Sequence, residues 1–146
     1  MSDFRQLSDR VWASPQLIGS DIRDAAAEGF TLLINNRPEG EEPNQLPGGE
    51  AAAIAAETGM DYVAIPVTPG GFTQAQVQAM AEALAKATGP VLAYCRSGTR
   101  STFLWALAEA AGGGDPSTLV ESAAQAGYDI GAIRPTLDAL SAQAED

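Results

Sequence analysis

The chain contains no histidine and a single cysteine, Cys95. Without histidine, Ser-His-Asp and Cys-His catalysis are excluded, and the usual zinc ligand sets are out of reach. With one cysteine no internal disulfide can form, which suits a reducing cytoplasm. Positive charge is scarce too: eight Lys and Arg stand against 19 Asp and Glu, a net charge of -11. That balance argues against nucleic acid, whose phosphates need a basic face, and against anionic membranes. An anion bound here must be held by a local field set against the global one, a conflict eased by screening within roughly 10 Å at moderate salt. No apolar run approaches the roughly 20 residues that span a bilayer. Phe4 to Trp12 is mixed and charged, unlike the apolar core of a signal peptide. A soluble cytoplasmic protein is therefore expected. Its 146 residues suffice for one domain with a proper core.

What is present centres on Gly89-Pro90-Val91-Leu92-Ala93-Tyr94-Cys95-Arg96-Ser97-Gly98-Thr99-Arg100-Ser101, followed by an alanine- and leucine-rich run. The pattern predicts a buried strand, a tight glycine-containing loop and a helix. A cysteine so placed faces backbone N–H groups and the positive end of a helix dipole. Arg96 and Arg100 add full charges, and together these favour the thiolate. The loop thus reads as both nucleophile holder and anion cradle. A buried cysteine can also be a small packing residue, but two arginines beside it have no packing rationale.

The rest of the chain alternates strands and helices. Residues 1–9 read as a loose lead-in, Val11-Trp12-Ala13 as an edge strand, and Ser20 or Asp21 as the cap of a short helix. Thr31 to Asn35 reads as a buried strand, and a long polar loop follows through Gly49. A helix from about Glu50 to Thr58, a strand Asp61 to Val67 broken by Pro66, and a helix capped by Thr73 come next. Beyond the cysteine loop, a helix from about Ser101 to Ala111 ends at Gly112-Gly113-Gly114. Asp115-Pro116 opens another, and a last helical region is interrupted near Pro135. This order predicts an α/β fold of three layers, a mostly parallel sheet with helices on both faces, in one domain over 1–146. Its catalytic core spans about 10–112, with carboxyl-terminal helices over 115–143. The cysteine loop then lies at the carboxyl end of its strand, where such sheets bind ligands.

Cys95 to Ser101 resembles the active-site loop of rhodanese-type sulfurtransferases and that of cysteine-dependent phosphatases. Leu32-Leu33-Ile34-Asn35-Asn36-Arg37-Pro38 with Glu41-Glu42 resembles the early strand and turn of dual-specificity phosphatases. The chain to about Leu107 resembles the phosphatase-like domain family found fused in beta-lactamase-hydrolase-like proteins, carried also by Asn35 to Glu42 and Ile65-Pro66-Val67. That resemblance implies a cysteine-phosphatase-like fold, and for its members an association with bacterial sulfide handling and sulfurtransferase activity.

Two departures from the phosphatase pattern tilt the expectation. Four residues, not five, separate Cys95 from Arg100, and a shorter loop suits one sulfur atom better than a phosphate. The loop Val67-Thr68-Pro69-Gly70-Gly71-Phe72, where such phosphatases carry an aspartate to protonate the leaving group, has no acid. Glu39, Glu41, Glu42 and Asp61 are the substitutes, each also readable as a solvated loop carboxylate. The expected activity is a cysteine-dependent sulfurtransferase that moves sulfane sulfur from thiosulfate or a persulfide, through a Cys95 persulfide, to a small thiol such as glutathione or to a partner protein. The alternatives are a phosphatase-type hydrolase with a Cys95 phosphocysteine, and a non-catalytic persulfide-sensing or interaction module. Cys95, Arg100 and Ser101 are the expected catalytic residues, with Ser101 bonded to the thiolate or capping the helix. Arg96, Ser97, Gly98, Thr99 and Arg37 are the candidate anion-binding residues, though a salt bridge from Arg37 to Glu41 or Glu42 is the stronger reading. Tyr94, Phe103 and Trp105 read as packing residues, and the acidic loop as a solvated face or a docking surface. No cofactor or metal is expected.

Overall fold

The structure, a computed structural model, describes residues 2–144. Five strands form one sheet in the order β1-β2-β5-β3-β4. They are β1 (Arg5–Gln6), β2 (Val11–Ser14), β3 (Leu32–Asn35), β4 (Asp61–Ala64) and β5 (Val91–Tyr94). The helices are α1 (Gly19–Ala27), α2 (Gly48–Glu57), α3 (Gln74–Lys86), α4 (Thr99–Ala111), α5 (Pro116–Gln125) and α6 (Arg134–Ala144). Strands β2, β5, β3 and β4 run parallel, and β1 alone is antiparallel. The expected α/β fold, a mostly parallel sheet between two helical layers, is the one found.

Strands β3 and β5 are buried throughout. A strand covered on both faces needs apolar side chains in both directions, and Leu-Leu-Ile and Val-Leu-Ala supply them. Leu32, Ile34, Val91 and Ala93 join the core with Met80 and Leu84 of α3 and Leu104 of α4. Leu33, Leu92 and Tyr94 join Ile22 and Ala25 of α1 and Ala51 and Ala55 of α2. Period-two alternation thus assigns the two helical layers. Helix α4 is buried from Leu104 to Ala108 without a break, because α3, α5 and α6 enclose it and leave no solvent face. Tyr94 and Trp105 pack in these cores, and Phe103 packs against Phe72 at 5.8 Å between ring centroids.

Several boundaries differ from the sequence expectation, each for a local reason. The lead-in is not loose: Arg5 and Gln6 pair with Ala13 and Trp12, and Leu7 N–H donates to Val11 O at 2.8 Å. Strand β2 is therefore interior, its outer row of N–H and C=O groups covered by this short hairpin. Strand β4 stops at Ala64, yet Ile65 N–H still donates to Asn35 O and Val67 N–H to Asn36 O. Pro66, which has no N–H, falls between those two donors. Pro135 sits in the first turn of α6, where the missing N–H has no intrahelical partner to lose, so it begins that helix and does not interrupt it. The Thr73 and Asp115 caps form as expected, to Gln76 N–H and Ser117 N–H.

The chain passes from β2 to β3 without pairing them, and β5 later fills the space between. Helices α1 and α2 lie on one side of the sheet and α3 and α4 on the other. The crevice where they diverge, beyond the carboxyl end of β5, is the topological switch point. Replacing Leu92, fully buried in the central strand, by alanine should lower unfolding free energy by about 2–5 kcal/mol. The same change at the exposed Ile18 should shift the denaturant midpoint very little; equal shifts would contradict this placement of the core.

Candidate active site

Strand β5 ends at Tyr94, which places Cys95 at that switch point. The side chain is fully buried, and its Sγ accepts the Gly98 N–H at 3.1 Å. Gly98 has φ +94°, a left-handed conformation that turns the chain directly into α4. Helix α4 thus starts at Thr99, two residues before the sequence suggests, and its 13 residues aim their positive end at the sulfur. The loop is tied to the end of β2: Cys95 N–H donates to Ser14 O at 3.4 Å and Gln16 N–H to Arg96 O at 3.1 Å. Ser97 Oγ accepts the Thr99 N–H at 3.3 Å and donates to Thr99 Oγ1 at 2.9 Å. Thr102 Oγ1 donates to Gly98 O at 2.8 Å.

Charged side chains close around this loop. Arg100 meets Glu41 end-on, Nη1 to Oε2 and Nη2 to Oε1, both at 2.8 Å, and Nη1 also donates to Val67 O at 2.7 Å. A guanidinium has five N–H donors. The Nε–H and the second Nη2–H, which lie along one edge of the fork, donate to no oxygen among the described residues and leave that edge to the Cys95 side. Arg37 is buried and donates Nε to Glu41 at 2.8 Å, Nη2 to Glu42 at 2.8 Å and Nη1 to Gln16 Oε1 at 3.0 Å. Arg96, exposed, reaches Glu42 at 3.1 Å. Three guanidiniums face two carboxylates, leaving an excess of positive charge in a strongly acidic protein. The Arg100 guanidinium holds the Glu41 carboxyl down to about 2, with burial opposing and Arg37 assisting. Glu41 in turn raises the Arg100 guanidinium, and the Cys95 sulfur adds to that rise.

The expected residues sort themselves accordingly. Cys95, Arg96, Ser97, Gly98, Thr99 and Arg100 form one loop. Arg37 is the salt-bridged residue of the stronger reading, holding Glu41 and Glu42. The acidic loop is correspondingly no free solvated face, since Glu41 and Glu42 turn onto the arginines. Ser101 Oγ is buried with no hydrogen-bond partner among the described residues. It makes no bond to Cys95, and the N-cap falls to Gly98 because the helix begins earlier. Glu39 accepts the Gly48 N–H at the start of α2, at 2.9 and 3.1 Å. Asp61 opens β4, at the opposite end of a parallel sheet from Cys95. The groove lined by Thr31, Asp61, Val63, Glu82 and Lys86 lies at that far end too. Among the described residues, no group of three His, Cys, Asp or Glu side chains is placed to hold a metal.

Two contributors escape a reading of local spacing. Gln16, beyond β2, holds Arg37. Tyr128, beyond α5, donates its hydroxyl to Ser97 O at 3.1 Å, and its ring occupies the space a Cβ at Gly98 would need. Tyr128 is itself held by Arg5, whose guanidinium carbon lies 5.0 Å from the ring centroid. Each partner is distant in sequence, so no motif announces it. Asn35 is closer to legible: its Oδ1 accepts the Arg37 N–H at 2.9 Å, fixing the turn that presents Arg37.

A central parallel strand that presents a cysteine to a helix amino end, beside an arginine fork, places the chain among the cysteine-phosphatase-like α/β folds. A protein of that class, the active form of Tk-PTP, matches with a TM-score of 0.71 over 95% of this chain and 96% of its own, at 16% identity. Residues 3–112 match the family model described as "Beta-lactamase hydrolase-like protein, phosphatase-like domain". The chain belongs to this family. A beta-lactamase hydrolase-like protein of Agrobacterium fabrum is 35% identical over 138 residues, 94% of this chain. The match takes in 32% of that relative, so the chain spans about a third of its length. A candidate phosphatase from Neisseria meningitidis, known from its crystal structure, is 30% identical with a TM-score of 0.83, over 96% of this chain and 99% of its own.

These likenesses overturn the sulfurtransferase expectation and the Cys95 persulfide it required, and they lend no support to a thiol acceptor or to sulfide metabolism. The family is phosphatase-like, and a candidate phosphatase aligns along nearly the whole chain. Loop length alone does not decide the activity: the Arg100 guanidinium is also fixed from outside the loop, by Glu41 and the Val67 carbonyl.

The Glu41 pairing carries a pH signature. A carboxyl held at about 2 when folded, against an ordinary 4.5, stabilises the fold fully above that ordinary value. The contribution is lost as pH falls through the window between them. Thermal melts followed by circular dichroism should show wild type losing stability across this window. Glu41→Gln should melt lower at neutral pH and show a shallower acid limb. Parallel acid limbs would remove Glu41 from the clamp.

Proposed function

We propose that this domain is a cysteine-dependent phosphatase-type hydrolase acting on a small phosphorylated substrate through a Cys95 phosphocysteine. The observation that carries the reading is the Arg100 fork: its end is fixed by Glu41, and its Nε–Nη2 edge is left over beside Cys95. Side-on pairing with two oxygens of a phosphoryl group is what such an edge does best. In the proposed reaction Cys95 Sγ attacks phosphorus, while Gly98 N–H and the amino end of α4 take up negative charge. Ser97, Gly98 and Thr99 shape the cradle with their backbone, and Arg96 lends its charge to the entrance. Arg37 and Tyr128 act as positioning residues, the first through Glu41 and the second through Ser97 O. Ser101 has no assigned step. Water then releases inorganic phosphate and restores the thiolate. A free nucleophilic thiol works best in a reducing compartment, so the cytoplasm is the proposed location.

Turnover of para-nitrophenyl phosphate and its inhibition by vanadate test the reading. Cys95→Ser should abolish turnover, and Arg100→Lys, which removes the planar fork, should lower kcat/KM by about 10²-fold. Full turnover by a clean Cys95→Ser preparation would exclude the cysteine mechanism. A wild-type protein whose Cys95 can be alkylated but which turns over no phosphate would be a binding module.

A further inference from the structure

Cleaving a phosphate ester at neutral pH usually needs a proton donor for the departing oxygen, a contribution worth about 10²–10⁴ in rate. The carboxylates beside this cradle are committed elsewhere. Glu41 accepts from Arg100 and Arg37, and remains ionised throughout the neutral range. Glu42 accepts from Arg37 and pairs with Arg96. Glu39 closes the start of α2, and Asp61 sits at the wrong end of the sheet. The loop 68–72, which flanks Arg100 through Val67 O, is Thr-Pro-Gly-Gly-Phe. Of the hydroxyls at hand, Tyr128 donates to Ser97 O and Ser97 donates to Thr99, while the Ser101 hydroxyl is buried and makes no bond to Cys95.

We infer that the site selects phosphoryl compounds whose leaving group departs as a stable anion, such as phosphoric anhydrides, acyl phosphates and esters of acidic phenols, and discriminates against alkyl phosphates. This rests on the phosphatase-type reading above and narrows it. The S–P bond forms as the P–O bond breaks, and the bonding pair leaves on an oxygen that needs no proton. In the second step a water oxygen bonds to phosphorus and the S–P pair returns to Cys95. One water proton stays on that oxygen and the other passes to a phosphoryl oxygen, so the product is dihydrogen phosphate, which loses a proton to bulk water, and no enzyme acid or base is consumed. The same guanidiniums that hold the phosphoryl group stabilise the charge as it builds.

The test is a leaving-group series on the full chain: 2,4-dinitrophenyl, para-nitrophenyl and phenyl phosphates, acetyl phosphate, inorganic pyrophosphate and glycerol phosphate. The expected kcat/KM falls by about 10²-fold or more from para-nitrophenyl to phenyl phosphate, the full value of an absent acid. Acetyl phosphate or pyrophosphate should be turned over, and glycerol phosphate should not. Para-nitrophenyl and phenyl phosphates turned over within about tenfold of each other would show that an acid operates; this inference would then fail while the hydrolase reading stood. If no compound in the series, the dinitrophenyl ester included, is turned over, both fall together.

Discussion

One guanidinium network ties the carboxyl ends of all four parallel strands to the nucleophile. Gln16 follows β2, Arg37 follows β3, Val67 follows β4 and Arg100 follows β5. Arg37 binds Gln16, Glu41 and Glu42, while Glu41 passes the constraint on to Arg100, which also holds Val67 O. Burying such charges is favourable only when each is paired and its remaining hydrogens are satisfied. That condition explains why Arg37 can be buried, and why Glu41 accepts from two guanidiniums at once. The network also means that Arg100 is oriented before any anion arrives. Preorganisation of this kind spares the reaction the work of aligning a dipole while charge develops.

The network reconciles the chain's charge with its site. A net charge of -11 repels anions at long range, but the relevant field is local. Three guanidiniums, a helix amino end and a backbone N–H converge within one loop cluster, and two of the acidic residues are absorbed in orienting them. Part of what looks like an unfavourable acidic surface is the scaffold that orients Arg37 and Arg100 in the proposed anion site. Counting charges along the sequence cannot separate the two, because the pairing of Arg100 with Glu41 spans 59 positions.

The same distinction decides what was legible beforehand. Strands β3 and β5 were readable because burial on both faces leaves an uninterrupted apolar run. The caps at Thr73 and Asp115 were readable because capping is local chemistry. The cysteine loop announced itself through a strand, a glycine and two arginines in direct succession. Strand β1 left no trace: two residues, Arg5 and Gln6, carry no alternation, and they pair only because β2 offers an edge. Tyr128 was hidden for the same reason, since its role lies in the space above Gly98 and not in its neighbours. The reading of activity went astray where loop length, four residues between Cys95 and Arg100, was taken to choose between sulfur and phosphate; the likeness to a phosphatase-like family over residues 3–112 decides otherwise.

The absence of an acid from the loop 67–72 is plain in the sequence. It was taken as evidence against phosphoryl transfer, yet whether a donor is needed depends on the leaving group as much as on the enzyme. The structure adds why no glutamate here could be recruited. A carboxyl that protonates a leaving group at neutral pH needs a pKa raised toward neutrality. Glu41, the carboxylate closest in role, is driven the other way by the guanidiniums it orients. Raising its pKa would require removing the positive charge around it, and a neutral Glu41 would no longer hold Arg100 end-on. Anion grip and acid catalysis therefore make opposite demands on the same residue, and the Glu41–Arg100 pairing is suited to the first.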